Sequence, residues 1–268
     1  MTSPGREEGF PSAKPTGILS DALEESVAVI ERSQSLGVVT RLIGGIAFRA
    51  QLPHWSHRRA PAHDIDFVVR SKDAKGFARL LESAGYVPDL KQNALYGHKQ
   101  LYFVDVENQR PVDVIIDRLE MCHTLEFKDR LEADGVTVGR AELLLSKLQI
   151  VRLNRKDALD IAALLSMYPL GGDEGISREV IGDLVGQDWG WWRTVTGNLE
   201  VVLQLVRSND EVLDREIAMD VPSKFDVAEQ LESLQRLVEE TPKSRSWKWR
   251  SRVGERMVWF EEPEEVSH

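Results

Sequence analysis

The stretch AHDIDFVV, residues 62–69, sets two acids at alternate positions of an otherwise apolar β-type run. In a strand, side chains two apart leave the same face, about 6.6 Å apart along the chain. Asp64 and Asp66 therefore stand side by side, while Ile65 and Phe67 turn into the core. At an effective dielectric near 20, two such charges repel by about 2.5 kcal/mol. A cation between them removes that penalty. Hard oxygen ligands on a rigid strand suit Mg²⁺, which shares its coordination shell with substrate phosphates.

Two glycines upstream belong to the same problem. In RLIGGIAFRA, Gly44 and Gly45 separate a strand over 38–43 from a short helix begun by IAFRAQL. Glycines at such a junction let the backbone approach a polyphosphate closely, and the helix N-terminus offers free N–H groups and a favourable dipole. A third acid, Asp113, sits in PVDVII among β-branched residues, where an unpaired charge is expensive. If its strand lies beside that of Asp64, Asp113 reaches the same ion and can take a proton from an attacking hydroxyl. Asp117, at the strand end and followed by Arg118, is the alternative. A D-x-D pair alone is commonplace and a Gly-Gly pair is usually a turn. The ordered set of strand, Gly-Gly, helix, acid pair and later acid is what points to chemistry.

The remaining pattern predicts an α+β fold. Residues 18–36 have helical period, with Ser20 or Asp21 as N-cap. SKDAKGFARLLESAGY reads as an amphipathic helix capped by Ser71 and closed by Gly85. KQLYFVDV and PVDVIID read as strands joined by ENQR. From Arg140 to Tyr168 the chain reads as helical throughout, and three further helical runs follow Gly172. The expected organisation is a tail over 1–17, a small mixed sheet with helices over 18–138, and a helical region over 139–268. With no Pro/Gly linker at the boundary, the two halves are expected to pack around a shared cleft.

Composition narrows the class. With 268 residues the chain can bury a sizeable core, and a net charge of −10 argues against binding nucleic acid through overall charge. The single cysteine, Cys122, excludes an internal disulfide and suits a reducing cytoplasm. No apolar run approaches the roughly 20 residues of a membrane helix, and the first residues lack the apolar core of a signal peptide.

Through LIGGIAFRA, HDIDFVV and PVDVII, the chain resembles the DNA-polymerase-β-type nucleotidyltransferase superfamily. The helical stretch LLLSKLQIVRLNRKDALDIAALL resembles, more loosely, the bacterial minimal and abortive-infection toxin-type members. The resemblance implies a nucleotidyltransferase core that moves a nucleoside monophosphate from an NTP such as ATP to an acceptor. It implies that Asp64, Asp66 and Asp113 hold Mg²⁺, with Mn²⁺ as the substitute. It also places Lys147, Asp157 and Asp160 at the nucleotide pocket. The acceptor it suggests is RNA, at a tRNA 3′ end, in a toxin–antitoxin setting with a partner antitoxin protein. A small hydroxylated molecule such as an aminoglycoside is the alternative acceptor. A nucleotide-binding module without turnover is the alternative class, and the intact acids argue against it.

One departure is the 18 residues between Gly45 and Asp64, whose excess PHWSHRRAPAH holds three histidines, Trp55, and Arg58 and Arg59. The two arginines can clamp phosphates or form a solvated loop. Lys147 reads either as a phosphate ligand or as a surface lysine. Asp157 and Asp160 share a helix face and can pair with Arg152, Arg155 or Lys156. Near the C-terminus, KSRSWKWRSR interleaves five basic residues with Trp247 and Trp249, a pattern that suits single-stranded RNA or a solvated basic helix.

Overall fold

The computed structural model describes residues 17–55, 64–127, 129–131, 135–208, 215–218 and 222–262. Helix α1 (Ala22–Ser35) starts at Asp21, whose carboxylate accepts the N–H groups of Leu23 and Glu24 at 3.0 Å. Strand β1 (Thr40–Ile43) runs directly into α2 (Gly44–Gln51), so the glycines are the first residues of the helix itself. Then come β2 (Ile65–Val69) and α3 (Ser71–Ala84), which Gly85 ends in the left-handed conformation at φ 101°. Beyond it lie β3 (Val87–Pro88), α4 (Leu90–Tyr96), β4 (Gln100–Asp105) and β5 (Arg110–Ile116). A two-stranded ribbon of β6 (Arg118–Glu120) and β7 (Thr124–Glu126) follows.

The helical half comprises α5 (Arg140–Leu148), α6 (Arg155–Met167), α7 (Arg178–Gln187) and α8 (Trp189–Val206). Two more helices follow, α9 (Val227–Glu240) and α10 (Arg245–Val253). The fold is α+β, as the sequence pattern predicts. Three local expectations fail, two of them at helix ends and one at a hairpin. The stretch from Arg140 to Tyr168 is not one helix. The Asn198 amide donates to the carbonyls of Leu148 and Ile150 at 2.8 Å, which satisfies the end of α5. Asn154 then accepts the Asp157 N–H at 2.9 Å and starts α6. Ser71 does not cap α3 either. Arg70 occupies the cap position, and the carboxylate of Asp117 accepts the Ser71 N–H at 2.8 Å.

The main sheet has the order β1-β2-β5-β4-β3. β2 runs parallel to β5, and the other pairs are antiparallel. The apolar face of β2 is closed, with Ile65 and Phe67 at 0% exposure and Phe67 edge-on to Phe77 of α3 at 5.2 Å. One hydrophobic core runs from Ile18 to Val238 through both halves. The expected boundary near 138 is part of this framework. Leu42 of β1 donates its N–H to the Val136 carbonyl at 2.8 Å and accepts from the Val138 N–H at 2.9 Å. Among the described residues, no helix is long and apolar enough to cross a membrane.

The β4–β5 hairpin turns earlier than ENQR suggests, because Arg110 is drawn into β5. Its guanidinium pairs with Asp105 at 2.6 Å, the two side chains being 4% and 0% exposed. It also donates to the carbonyls of Leu19 and Ser20, which ties the entry of α1 to the sheet. Removing one partner of a buried pair strands the other charge. Arg110→Met is therefore expected to cost about 3–5 kcal/mol in urea unfolding, and combining it with Asp105→Leu should recover part of that loss.

Candidate active site

The parallel pairing of β2 with β5 sets Asp66 opposite Asp113. Asp64 precedes β2 by one residue and lies on the same side as Asp66, two positions on. Asp66 and Asp113 are half-buried and Asp64 is exposed. Burial raises the Asp66 carboxyl to about 7, helped by the charges of Asp113 and Asp64 and opposed by those of Lys147 and Lys156. Burial likewise raises Asp113 to about 6, with Asp64 adding to the effect and a hydrogen bond from Gln100 opposing it. The two carboxyls titrate as a coupled set.

Gly44 explains how this set meets α2. Ile43 pairs with Asp66 across β1 and β2, so the next residue passes directly over that carboxylate. Gly44 is left-handed at φ 69°, and a Cβ there would lie 2.0 Å from Asp66 Oδ2. Only glycine allows both the turn and the approach. The α2 N-terminus has Ile43 as its cap residue and no side-chain cap, leaving its first N–H groups for another acceptor. Gly45 follows in the same turn.

Asp113 and Asp117 separate clearly. Asp113 faces the acid pair, whereas Asp117 has a left-handed backbone at φ 60° and its carboxylate bonds the start of α3. Lys147 approaches from the helical half, its ammonium 2.7 Å from Asp157, 3.3 Å from Asp160 and 5.7 Å from the Phe48 ring centre on α2. Asp157 and Asp160 are thus buried partners of Lys147, and Arg155 pairs with Glu216. Arg58, Arg59, His57 and His63 lie outside the described residues. Trp55 is fully buried, its indole N–H donating to the Glu216 carbonyl at 2.7 Å. His54 is exposed, while Cys122 and His123 are buried.

A cavity of about 440 Å³ opens over Asp66 and Asp113, with Lys99, Gln100 and Tyr102 in its wall. Glu120 pairs with both Lys99 and Arg118 at its rim. A larger cavity, about 660 Å³, lies between α8 and α10 under Trp259 and meets the first at Glu261, which lines both. Sequence reasoning did not find Gln100, Tyr102 or Glu261. The first two reach Asp113 only through the β4–β5 register, which no local pattern encodes. Among the described residues, no three His, Cys, Asp or Glu side chains gather closely enough to cage an ion alone. The donor set suits an ion that takes one or two carboxylates and completes its shell with water and phosphate oxygens, as Mg²⁺ does.

Both raised carboxyls hold their protons more tightly in the folded than in the unfolded chain. Their stabilising contribution is complete below about pH 4 and is lost as pH rises through about 6 and about 7. In EDTA, Asp66→Asn should match the parent near about pH 3 and exceed its unfolding free energy near about pH 8 by at least about 1 kcal/mol. Gly44→Ala can be compared with Gly37→Ala, since Gly37 has a similar φ of 70° but open space around it. Urea unfolding should show the first costing more than the second, the excess being the clash with Asp66.

No protein-family model matches the chain, and no curated protein matches its sequence. Among solved structures, it is similar to an antigenic nucleotidyltransferase-like protein from Paracoccidioides brasiliensis. The identity is 14% and the TM-score 0.41, over 85% of this chain and 96% of that one. It is also similar to a STING-associated CdnE c-di-GMP synthase from Capnocytophaga granulosa. There the identity is 15% and the TM-score 0.27, over 84% of this chain and 79% of that one. Likeness at this level adds no weight to the site, which stands on its own carboxylates and on Gly44.

Proposed function

We propose that the chain is a Mg²⁺-dependent nucleotidyltransferase of the DNA-polymerase-β type, moving a nucleoside monophosphate from an NTP to an acceptor hydroxyl. The observation that carries this reading is the Asp66–Asp113 pairing on adjacent parallel strands, set against the uncapped start of α2. Asp66 and Asp113 would hold the ion, with Asp64 adding negative potential beside them, and the ion would neutralise the triphosphate; Mn²⁺ would serve in its place. The N–H groups of the α2 first turn receive phosphate oxygens, and Gly44 and Gly45 leave room for them. Lys147, held in place by Asp157 and Asp160, adds positive potential behind α2. Asp113 takes the acceptor proton. The acceptor oxygen then bonds to the α-phosphorus as the bond to the bridging oxygen breaks, and pyrophosphate leaves. An RNA 3′ end, a tRNA among them, is the acceptor that the resemblance of the helical half to toxin-type members supports. An antitoxin would then be the cognate partner.

Calorimetry with NTP and Mg²⁺ should show affinity falling sharply on Asp64→Ala plus Asp66→Ala, and equally on adding EDTA. Undiminished affinity would sink the metal assignment. Asp113→Asn should keep much of the NTP binding and lose at least about 10²-fold in transfer of label from NTP to total RNA. Asp117→Ala is the control. It should lose about 0.5–2 kcal/mol of stability with its cap while transfer persists.

A further inference from the structure

The basic segment near the C-terminus divides into two sets of residues once its surroundings are known. Lys243 donates to the Val238 carbonyl. Arg250 donates to the carbonyls of Gly254 and Met257 at 2.7 and 2.9 Å, and its guanidinium lies 4.6 Å from the Trp189 ring centre. Trp247 packs edge-on to Trp192 at 5.2 Å. Lys243 thus ties the entry of α10 to α9, and Trp247 and Arg250 fasten α10 to α8.

The other set has no such task. Arg245, Lys248, Trp249 and Arg252 are exposed and spaced to share one face of α10. Trp249 is 68% exposed. Among the described residues, no ion pair engages Arg245, Lys248 or Arg252, and the nearest acid in sequence, Glu255, is taken by Arg193. No acid occurs between residues 241 and 254. A chain of net charge −10 therefore presents one helix face with three unpaired cations around an open indole.

We infer that the exposed face of α10 binds single-stranded nucleic acid, Trp249 stacking on a base while Arg245, Lys248 and Arg252 neutralise flanking phosphates. Charge complementarity selects a polyanion, since like-signed charges three and four residues apart repel one another until an anion lies over them. The indole selects an unpaired base, because stacking needs an open π-face that duplexes keep covered. An anionic membrane offers the same charge, but interfacial helices present a broad apolar face. Here the outward face of α10 carries one indole among cations, and its other side is packed. The helix also borders the cavity that adjoins the one over the acids. Ser246, Trp247 and Arg250 wall the larger cavity, which meets the smaller one at Glu261.

This binding requires no step of the transfer reaction, so the two readings can fail separately. Fluorescence anisotropy of the full chain with a labelled oligouridylate should show binding that weakens with salt. Arg245→Ala, Lys248→Ala and Arg252→Ala together should weaken it at least about tenfold near 50 mM salt and flatten the log–log salt slope by about 2. Trp249→Ala should weaken it about tenfold with the slope unchanged. Asp66→Asn should leave it intact, although NTP binding with Mg²⁺ is lost. Equal binding by parent, triple variant and Trp249→Ala would overturn the inference, as would no binding by the parent. Affinity for a duplex equal to that for the single strand would overturn it too. So would sedimentation with phosphatidylserine vesicles that Trp249→Ala abolishes, because the face would then belong to lipid.

Discussion

Parallel pairing of β2 with β5 is the constraint on which the rest of this structure turns. It puts two half-buried carboxylates next to each other on a sheet whose opposite face is sealed by Ile65, Phe67 and Val114. Like charges at that spacing would separate if the strands were free to slip. A one-residue slip, however, would turn that apolar set out of the core, so burial holds the register that electrostatics opposes. The raised carboxyl affinities for protons are the visible sign of that conflict. A cation and a proton are the two ways of relieving it.

The surroundings are shaped to keep the conflict in place. Gly44 lets Asp66 lie against the start of α2, and Asp117 bonds the first turn of α3 just beyond the end of β5. The acid-bearing strands are thus held at both ends by helix starts. Lys147 contributes from a different direction. Two buried aspartates fix its ammonium, so its field at Asp66 is steady rather than averaged over a mobile side chain. Lys147 and Lys156 on the helical side thereby oppose part of the rise that burial imposes on the Asp66 carboxyl.

The sequence made the elements legible where periodicity and caps agree. α1 with Asp21, α3 with Gly85, and the acid strand over 65–69 all follow from local pattern. The break between α5 and α6 was hidden because Asn198, 44 residues beyond Asn154, supplies half of it. Asp113 was legible as an acid in an apolar strand, but its place opposite Asp66 depended on sheet order. Asp117 looked equivalent until its left-handed backbone and its bond to Ser71 set it apart. Gln100, Tyr102 and Glu261 carried no signal, since nothing in their neighbourhoods differs from an ordinary strand or tail.

The continuous core also bears on how such a chain can change over time. Its helical half shares buried residues with the sheet half, and the segment over 136–138 is bonded to β1. Neither half is a cassette that recombination could exchange intact, because any cut would expose apolar surface on both pieces. New specificities are more easily acquired by single substitutions on outward positions, such as those of α10, whose replacement leaves the interior untouched.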